Sequence, residues 1–306
     1  MLSLFTAKKQ FDDPWIGHAG LNRHGLHQRR MVVAEGLKKF RRSMVPNQPA
    51  HLADHLQALD RDGYVAINDF LSVDQHKGLV EETDRAVGAA DKEAPVKENL
   101  ELGFGAKRPF NGGFDRYDGG TLNRFIDIDP EKMPNVAAFT RNKDLSALTR
   151  SIVGLPHQAR KTNIYFVLHG KEEANPDLQK EMHRDTFFSA MKFWYFPKPV
   201  EEADGPFVYV PGSHKLDAKR LAWEQENANE AIATHAQPNI GGSFRVREED
   251  LAGLGLPEPV AVTCPGNTLV IANVLGFHRR GHAEAGRKRL SLYGWQRPHP
   301  FSLLAF

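Results

Sequence analysis

The sequence is short of features that would place it in several common protein classes. It contains one cysteine, Cys264, which excludes an intramolecular disulfide and a zinc site built from several thiolates. It has no apolar run near the roughly 18 to 20 residues that a membrane-spanning helix requires. Any metal bound by this chain must therefore be held by nitrogen and oxygen ligands.

The sequence also lacks an excess of charge of either sign. Lys and Arg total 40 against 38 Asp and Glu, so the net charge of +2 gives no electrostatic reason to expect a nucleic-acid partner. The first nine residues place their lysines after a short apolar stretch, which is the reverse of a signal peptide and predicts a cytoplasmic protein. No feature of the sequence indicates an oligomeric state.

Composition changes along the chain and predicts a boundary near residue 50. Basic residues dominate 23–42, where Glu35 is the only acidic residue. We interpret 1–50 as a basic N-terminal extension and 51–306 as the principal domain. The extension is either an amphipathic arm for a membrane surface or an anionic substrate, or a helix packed on the domain. The sequence favours packing, through the apolar residues Met31, Val32, Val33 and Leu37.

The domain begins with a predicted helix, strand and second helix. Leucines at helical spacing end at Asp62-Gly63, and an apolar strand follows over 64–68. Ser72 and Gln75 have the spacing of a capping box, which predicts the start of a helix that runs to about Val87.

From about residue 160 short β-rich runs alternate with Gly and Pro turns, and no unit recurs at a fixed period. This pattern predicts a mainly β fold with flanking helices, a double-stranded β-helix (jelly roll, cupin-like), with a helical insertion at about 216–230. The predicted strands are Asn163–Leu168, Ser189–Phe196, Phe207–Val210, Val260–Thr263, Leu269–Ala272 and Leu290–Trp295.

The most informative motif is His183-Arg184-Asp185. Residues two apart on a strand share a face, so an imidazole and a carboxylate with this spacing converge on one cation. With a distant second histidine they would form the two-His-one-carboxylate triad of non-haem Fe(II) oxygenases. His278 and His282 are the two candidates, both just after the apolar run 269–272.

An arginine on the following strand would be needed to hold a second carboxylate of a keto-acid cosubstrate. A planar guanidinium grips a carboxylate with two parallel hydrogen bonds. Arg289 lies eleven residues after His278, a position that favours His278 as the ligand, and Ser291 alternates onto the same face of the final strand.

Taken in order, several segments resemble the phytanoyl-CoA dioxygenase family of Fe(II)/2-oxoglutarate oxygenases. Together they span nearly all of residues 51–295. They are DGYVAINDFL at 62–71, the His183-x-Asp185 pair, DGPFVYVPGSHK at 204–215, GNTLV at 266–270, and His278 with Arg289.

The resemblance implies that His183, Asp185 and His278 are the catalytic metal ligands and that Arg289 holds the distal carboxylate of 2-oxoglutarate. Trp194 matches a tryptophan that contacts this cosubstrate. Strand position alone suggests two more contacts. These are Ser291 beside Arg289 and Asn163 near the iron-chelating end.

The implied cofactors are Fe(II), 2-oxoglutarate and O₂, with succinate and CO₂ as products. Related halogenases have a small residue in place of the carboxylate, so Asp185 favours hydroxylation, or desaturation or ring closure. The expected substrate is a small molecule, anionic or lipid-like.

The same residues also occur in other kinds of site. His-Arg-Asp also marks the catalytic loop of protein kinases, but the asparagine required five residues later is Ala190. His183 and Asp185 could form a structural ion pair, although the ordered motifs argue against it. A jelly-roll protein that binds a metal or ligand without catalysis is the alternative function, and Arg289 argues for the oxygenase.

Two further segments are candidates for the substrate entrance. Residues 95–125 are predicted to be a loop, in which Phe104, Arg108, Phe110, Phe114 and Arg116 mix aromatic and cationic groups. Arg279 and Arg280 either bind an anionic substrate group or are solvated loop charges.

Overall fold

Two antiparallel sheets face each other in the computed structural model, which describes residues 2–44, 48–96, 106–171, 176–237 and 239–303. The larger sheet has the strand order β1-β9-β6-β11-β5-β4-β3-β2 and the smaller one β10-β7-β8. The strands are β1 Tyr64–Ile67, β2 Lys107–Phe110, β3 Gly113–Asp118, β4 Thr121–Ile126, β5 Thr162–His169, β6 Met191–Phe196, β7 Phe207–Tyr209, β8 Val260–Val262, β9 Thr268–Asn273, β10 His278–Arg280 and β11 Lys288–Gln296. The predicted jelly roll with flanking helices is confirmed.

The helices cover the outside of the sheets. They are α1 Ala19–Arg23, α2 Leu26–Ser43, α3 Ala53–Asp62, α4 Val73–Glu93, α5 Pro134–Thr140, α6 Lys143–Val153, α7 Ala218–Thr234 and α8 Glu248–Leu254. Short 3₁₀ turns lie at Leu2–Phe5, Ala50–Leu52, Ala159–Lys161, Leu178–Lys180 and Asn239–Gly241. Among the described helices, none combines the length and apolar character needed to cross a bilayer. The cytoplasmic location stays a prediction.

Strand alternation divides the large sheet into two faces. On β6, Phe193 and Tyr195 point outward into the core formed with α3 to α6, while Trp194 and Phe196 point inward toward the small sheet. The space between the two sheets therefore receives the even-numbered side chains of β6. This inner space holds the site described below.

The helix-capping residues predicted at the start of the domain are found in the structure. Ser72 and Gln75 form the capping box in full, and α4 continues past the predicted end to Glu93. Gly63 ends α3 with a φ of 87°, a conformation that glycine adopts without a steric penalty. The predicted helical insertion is α7, which begins at Ala218 and is capped by Asp217.

Residues 95–125 were wrongly predicted to be a loop. The described part forms the hairpins β2–β3 and β3–β4, turned by Asn111-Gly112 and Gly119-Gly120. Asn-Gly between two short strands is a strong hairpin signal, and it was overlooked. Phe110, Phe114 and Arg116 therefore lie on strands, whereas Phe104 lies outside the described residues.

The N-terminal segment packs against the domain, although not through every residue predicted to do so. Met31 is fully buried and Leu37 is half-buried, but Val32 and Val33 are each 51% exposed. The helical period explains the difference, because these two valines fall on the outer side of α2. The domain boundary at residue 51 stays a prediction.

Candidate active site

His183, Asp185 and His278 converge in one cavity and are all buried. One ligand atom from each lies within 4.8 Å of the others. Asp185 Oδ1 is 3.5 Å from His183 Nε2 and 3.6 Å from His278 Nε2. His282, the other candidate, is exposed. Nitrogen and oxygen donors at this spacing form one face of an octahedral site.

Backbone pairing brings the two histidines together. The amide of His183 donates to the carbonyl of His278 at 3.0 Å, and the amide of His278 donates back at 2.8 Å. The amide of Asp185 donates to the carbonyl of Val274 at 3.1 Å, so 183–185 runs extended beside the segment that leads into β10. The motif thus makes an isolated bridge and does not lie at the end of a strand.

Carbonyl groups orient both imidazole rings. His183 Nδ1 donates to the Glu181 carbonyl at 2.7 Å, and His278 Nδ1 donates to the Gly276 carbonyl at 2.9 Å. Each Nε2 therefore presents a lone pair to the space between the three side chains. At metal sites, a hydrogen bond from the other ring nitrogen commonly fixes the orientation of a histidine ligand in this way. Gly276 is required there, because a Cβ would lie 1.9 Å from Tyr209 Oη.

The donor set fits a divalent iron ion. Within the described residues, His278 Nε2 is a buried nitrogen with no hydrogen-bond partner, which a bound metal would satisfy. Burial lowers the pKa of His183 to about 4, against the opposing effect of Asp185, so this imidazole is neutral at pH 7. A neutral imidazole is the form that coordinates metal.

Two cations hold the second oxygen of the Asp185 carboxylate. Lys192 Nζ lies 2.7 Å and Arg297 Nη2 lies 3.0 Å from Oδ2. Burial alone would raise the pKa of Asp185, but Lys192 and the two histidines hold it well below its usual value. The side chain is therefore ionised and fixed in orientation. In addition, Lys9 Nζ donates to the Asp185 carbonyl at 2.6 Å.

Arg184, between the two candidate ligands of the motif, points away from them into a buried ionic network. Its guanidinium makes two contacts of 2.6 Å with the carboxylate of Glu224 on α7. Glu224 also accepts from Arg220 at 3.0 Å and from His27 of α2 at 3.0 Å. Sequence reasoning missed this network. Because side chains alternate in direction along an extended segment, Arg184 is expected to point away from His183 and Asp185. No local pattern identifies Glu224 as its partner.

Arg289 lines the same cavity as the three candidate ligands. It is 6% exposed, and Nη1 donates to the carbonyl of Gly205. Arg289 Nε is buried and has no hydrogen-bond partner among the residues that the structure describes. Burial lowers the pKa of Arg289 to about 10, which keeps the guanidinium charged at pH 7. An anion entering here would find a buried cation with an unused donor.

The remaining predicted cosubstrate contacts are placed differently. Trp194 lines the cavity, and its ring centroid is 4.5 Å from that of Phe207. Asn163 also lines the cavity, and its side chain donates to Asp127 at 3.2 Å. Ser291 is buried, contacts the carbonyl of Tyr165 at 3.4 Å, and is not among the residues that line the cavity.

The cavity has a volume of about 330 Å³ and a lining that is both aromatic and cationic. Arg279 and Arg280 both belong to this lining. Arg280 is buried and already paired, at 2.5 Å with Asp177 and at 2.6 Å with Asn123. It is therefore not a solvated loop charge.

Known proteins were compared with this chain by sequence, by structure and by family model. A search of curated proteins found no match. Among solved structures, the epimerase SnoN from nogalamycin biosynthesis is 19% identical, with 81% of this chain and 83% of that chain covered and a TM-score of 0.48. EctD from S. alaskensis with bound Fe is 15% identical, with 83% and 85% covered and a TM-score of 0.44.

A third structure is HygX from Streptomyces hygroscopicus with nickel, 2-oxoglutarate and hygromycin B, at 15% identity, with 79% and 86% covered and a TM-score of 0.41. The family model for phytanoyl-CoA dioxygenase (PhyH) matches residues 59–246, which is more than half of the chain. The chain therefore belongs to the phytanoyl-CoA dioxygenase (PhyH) family and is a non-haem enzyme that uses Fe(II), 2-oxoglutarate and O₂.

Proposed function

We propose that this enzyme hydroxylates a small-molecule substrate at a site where His183, Asp185 and His278 hold the iron. The observation that carries the proposal is the convergence of these three side chains in one cavity with Arg289. Iron and 2-oxoglutarate, when bound, would supply with O₂ the oxidation of a substrate C–H bond: one oxygen atom would go to the substrate and the other to succinate, with release of CO₂.

In this proposal each side chain has a defined task. The two imidazoles and Asp185 Oδ1 would hold the iron, and three protein ligands would leave positions for the cosubstrate and O₂. Arg289 binds the distal carboxylate of 2-oxoglutarate, and its free Nε supplies a donor beyond the Gly205 contact. Trp194 and Asn163 border the cosubstrate as cavity residues. Ser291 does not line the cavity, so we assign it no contact with the cosubstrate.

Burial of the site supports an oxidative function. The ligands are each at most 7% exposed, and the cavity volume of about 330 Å³ matches a small organic molecule. A shielded site positions one substrate bond and excludes bulk water. Desaturation and ring closure would use the same residues, and product analysis separates them from hydroxylation.

The test is aerobic incubation of the protein with Fe(II), ascorbate and 2-oxoglutarate, followed by measurement of succinate. We expect slow succinate release without substrate, and faster release when candidate metabolites are screened. Anaerobic calorimetry should show 2-oxoglutarate binding that requires a divalent metal. Absence of both signals would overturn the proposal and favour a jelly-roll protein that binds ligands without catalysis.

A further inference from the structure

The iron side of the cavity carries more positive charge than its partners neutralise. Lys192 and Arg297 both contact the same oxygen of Asp185, at 2.7 and 3.0 Å. The other oxygen of that carboxylate faces the two imidazoles. A ferrous ion bound there would add further positive charge, so one carboxylate faces two cations and the metal.

Arg116 of β3 belongs to the same charged group. Its Nη2 pairs with Asp118 at 2.7 Å, but its Nε is buried and has no hydrogen-bond partner in the described part of the chain. Arg116, Lys192 and Arg297 all line the cavity, and the carboxylates they contact are Asp118 and Asp185. Three cations thus share two carboxylates in this part of the lining.

The cosubstrate does not account for this surplus. Under the proposed function, one carboxylate of 2-oxoglutarate chelates the iron and the other binds Arg289. Lys192 is opposite Trp295 in the β6–β11 register, whereas Arg289 lies outside this paired region and pairs with Val167 of β5. Lys192, Arg297 and Arg116 therefore remain for another anion.

An aromatic surface runs beside these cations across the inner face of the large sheet. The ring centroids of Phe125 and Tyr165 are 4.7 Å apart and nearly parallel, at 20°. Tyr165 is 5.3 Å from Tyr293, and Tyr293 is 5.8 Å from Trp194. Four strands contribute to this row of rings, which offers a continuous apolar surface within the cavity.

We propose that Lys192, Arg297 and Arg116 form a subsite for an anionic oxygen-bearing group of the substrate, a carboxylate or a phosphate, while its apolar part lies on the aromatic row. This inference rests on the proposed function. Because Lys192 and Arg297 contact an iron ligand directly, the oxidised C–H bond lies close to the anionic group. The substrate class is a small organic anion.

The test compares two probes of the same shape, 3-phenylpropanoate and the neutral 3-phenylpropanamide. Anaerobic calorimetry on protein loaded with Fe(II) and 2-oxoglutarate should show at least about tenfold tighter binding of the carboxylate. Arg116→Gln and Arg297→Gln should each reduce this preference several-fold. Competition by inorganic phosphate and by acetate shows which anion the subsite favours.

Lys161→Gln is the matched control. It removes the same charge close by, since Lys161 Nζ lies 4.7 Å from the ring centroid of Trp295, but Lys161 does not line the cavity. We expect it to keep the carboxylate preference. Iron affinity is measured for every variant, so that a loss of metal is distinguished from a loss of anion binding.

Two results would overturn the inference. One is equal binding of the two probes, or binding of neither, by wild-type protein that still binds 2-oxoglutarate and releases succinate. The other is weaker iron binding by Arg116→Gln and Arg297→Gln with an unchanged preference for the carboxylate probe. That result would mean that the cations serve only to hold Asp185. Loss of succinate release and 2-oxoglutarate binding in the wild type would instead count against the proposed function.

Discussion

Single side chains define the proposed iron site through their backbone neighbours. His183 and His278 pair by two reciprocal backbone hydrogen bonds, and each ring is turned by a carbonyl two residues before it. The His-x-Asp spacing made the pairing of His183 with Asp185 predictable from sequence. The two cations on Asp185 were not predictable, because Lys192 and Arg297 carry no motif and meet the carboxylate only through the fold.

His278→Ala should weaken Fe(II) binding by at least about 100-fold, because one of three protein ligands is lost. His282→Ala, four residues later and exposed, serves as the control and should bind iron like the wild type. Anaerobic metal titration measures both. Normal iron binding by His278→Ala with a loss in His282→Ala would contradict the ligand assignment.

Arg289→Lys should raise the KM for 2-oxoglutarate about ten- to a hundredfold, although the positive charge is kept. A lysine lacks the planar fork that makes two parallel hydrogen bonds with a carboxylate. Steady-state succinate assays measure this change. Arg287→Lys is the control, since Arg287 pairs with Asp204 outside the cavity at 2.8 Å, and it should leave KM unchanged.

Among whole elements, the buried network around Glu224 connects three parts of the chain. It joins α2 through His27, α7 through Glu224 itself, and the metal-ligand motif through Arg184. The N-terminal segment adds a second link, in which Lys9 contacts the Asp185 carbonyl. The extension predicted from composition is therefore part of the support of the site.

Glu224→Gln should lower the free energy of unfolding by about 3 kcal/mol, because Arg184 and Arg220 would remain buried without a countercharge. Urea denaturation of the metal-free protein measures the change. Glu226→Gln on the same helix removes an exposed carboxylate and should have an effect within about 0.5 kcal/mol. Similar stability of the two variants would show that the network contributes little.

For the molecule as a whole, buried histidines make stability depend on pH. Burial lowers the pKa of His169 to about 3, and burial also lowers the pKa of His27. Below their ordinary pKa of 6.5, the unfolded chain takes up protons that the folded protein does not. Stability therefore falls as the pH decreases from 6.5 toward the folded pKa values.

His169→Gln should reduce this acid sensitivity by about 1 kcal/mol between pH 7.5 and pH 5.5, since one neutral buried imidazole is removed. Urea unfolding of the metal-free protein at both pH values gives the difference. His24→Gln changes an exposed imidazole and should leave the pH dependence as in the wild type. An unchanged slope in His169→Gln would exclude this explanation.

The sequence by itself determined the features that depend on near neighbours. The capping box at Ser72, the two-residue spacing of His183 and Asp185, and the β-rich second half follow from local periodicity and hydrogen bonding. The strands β2 to β4 were also locally encoded, by Asn111-Gly112 and Gly119-Gly120, but these signals were overlooked.

Only the tertiary structure decided which distant side chains meet. Glu224 reaches Arg184 across 40 residues of sequence, and Arg297 reaches Asp185 across 112. Such pairs depend on how sheets and helices pack, and one residue of shift in strand register would exchange the inner and outer faces. The three candidate ligands could therefore be proposed from the sequence, whereas the charges and aromatic rings around them depend on packing.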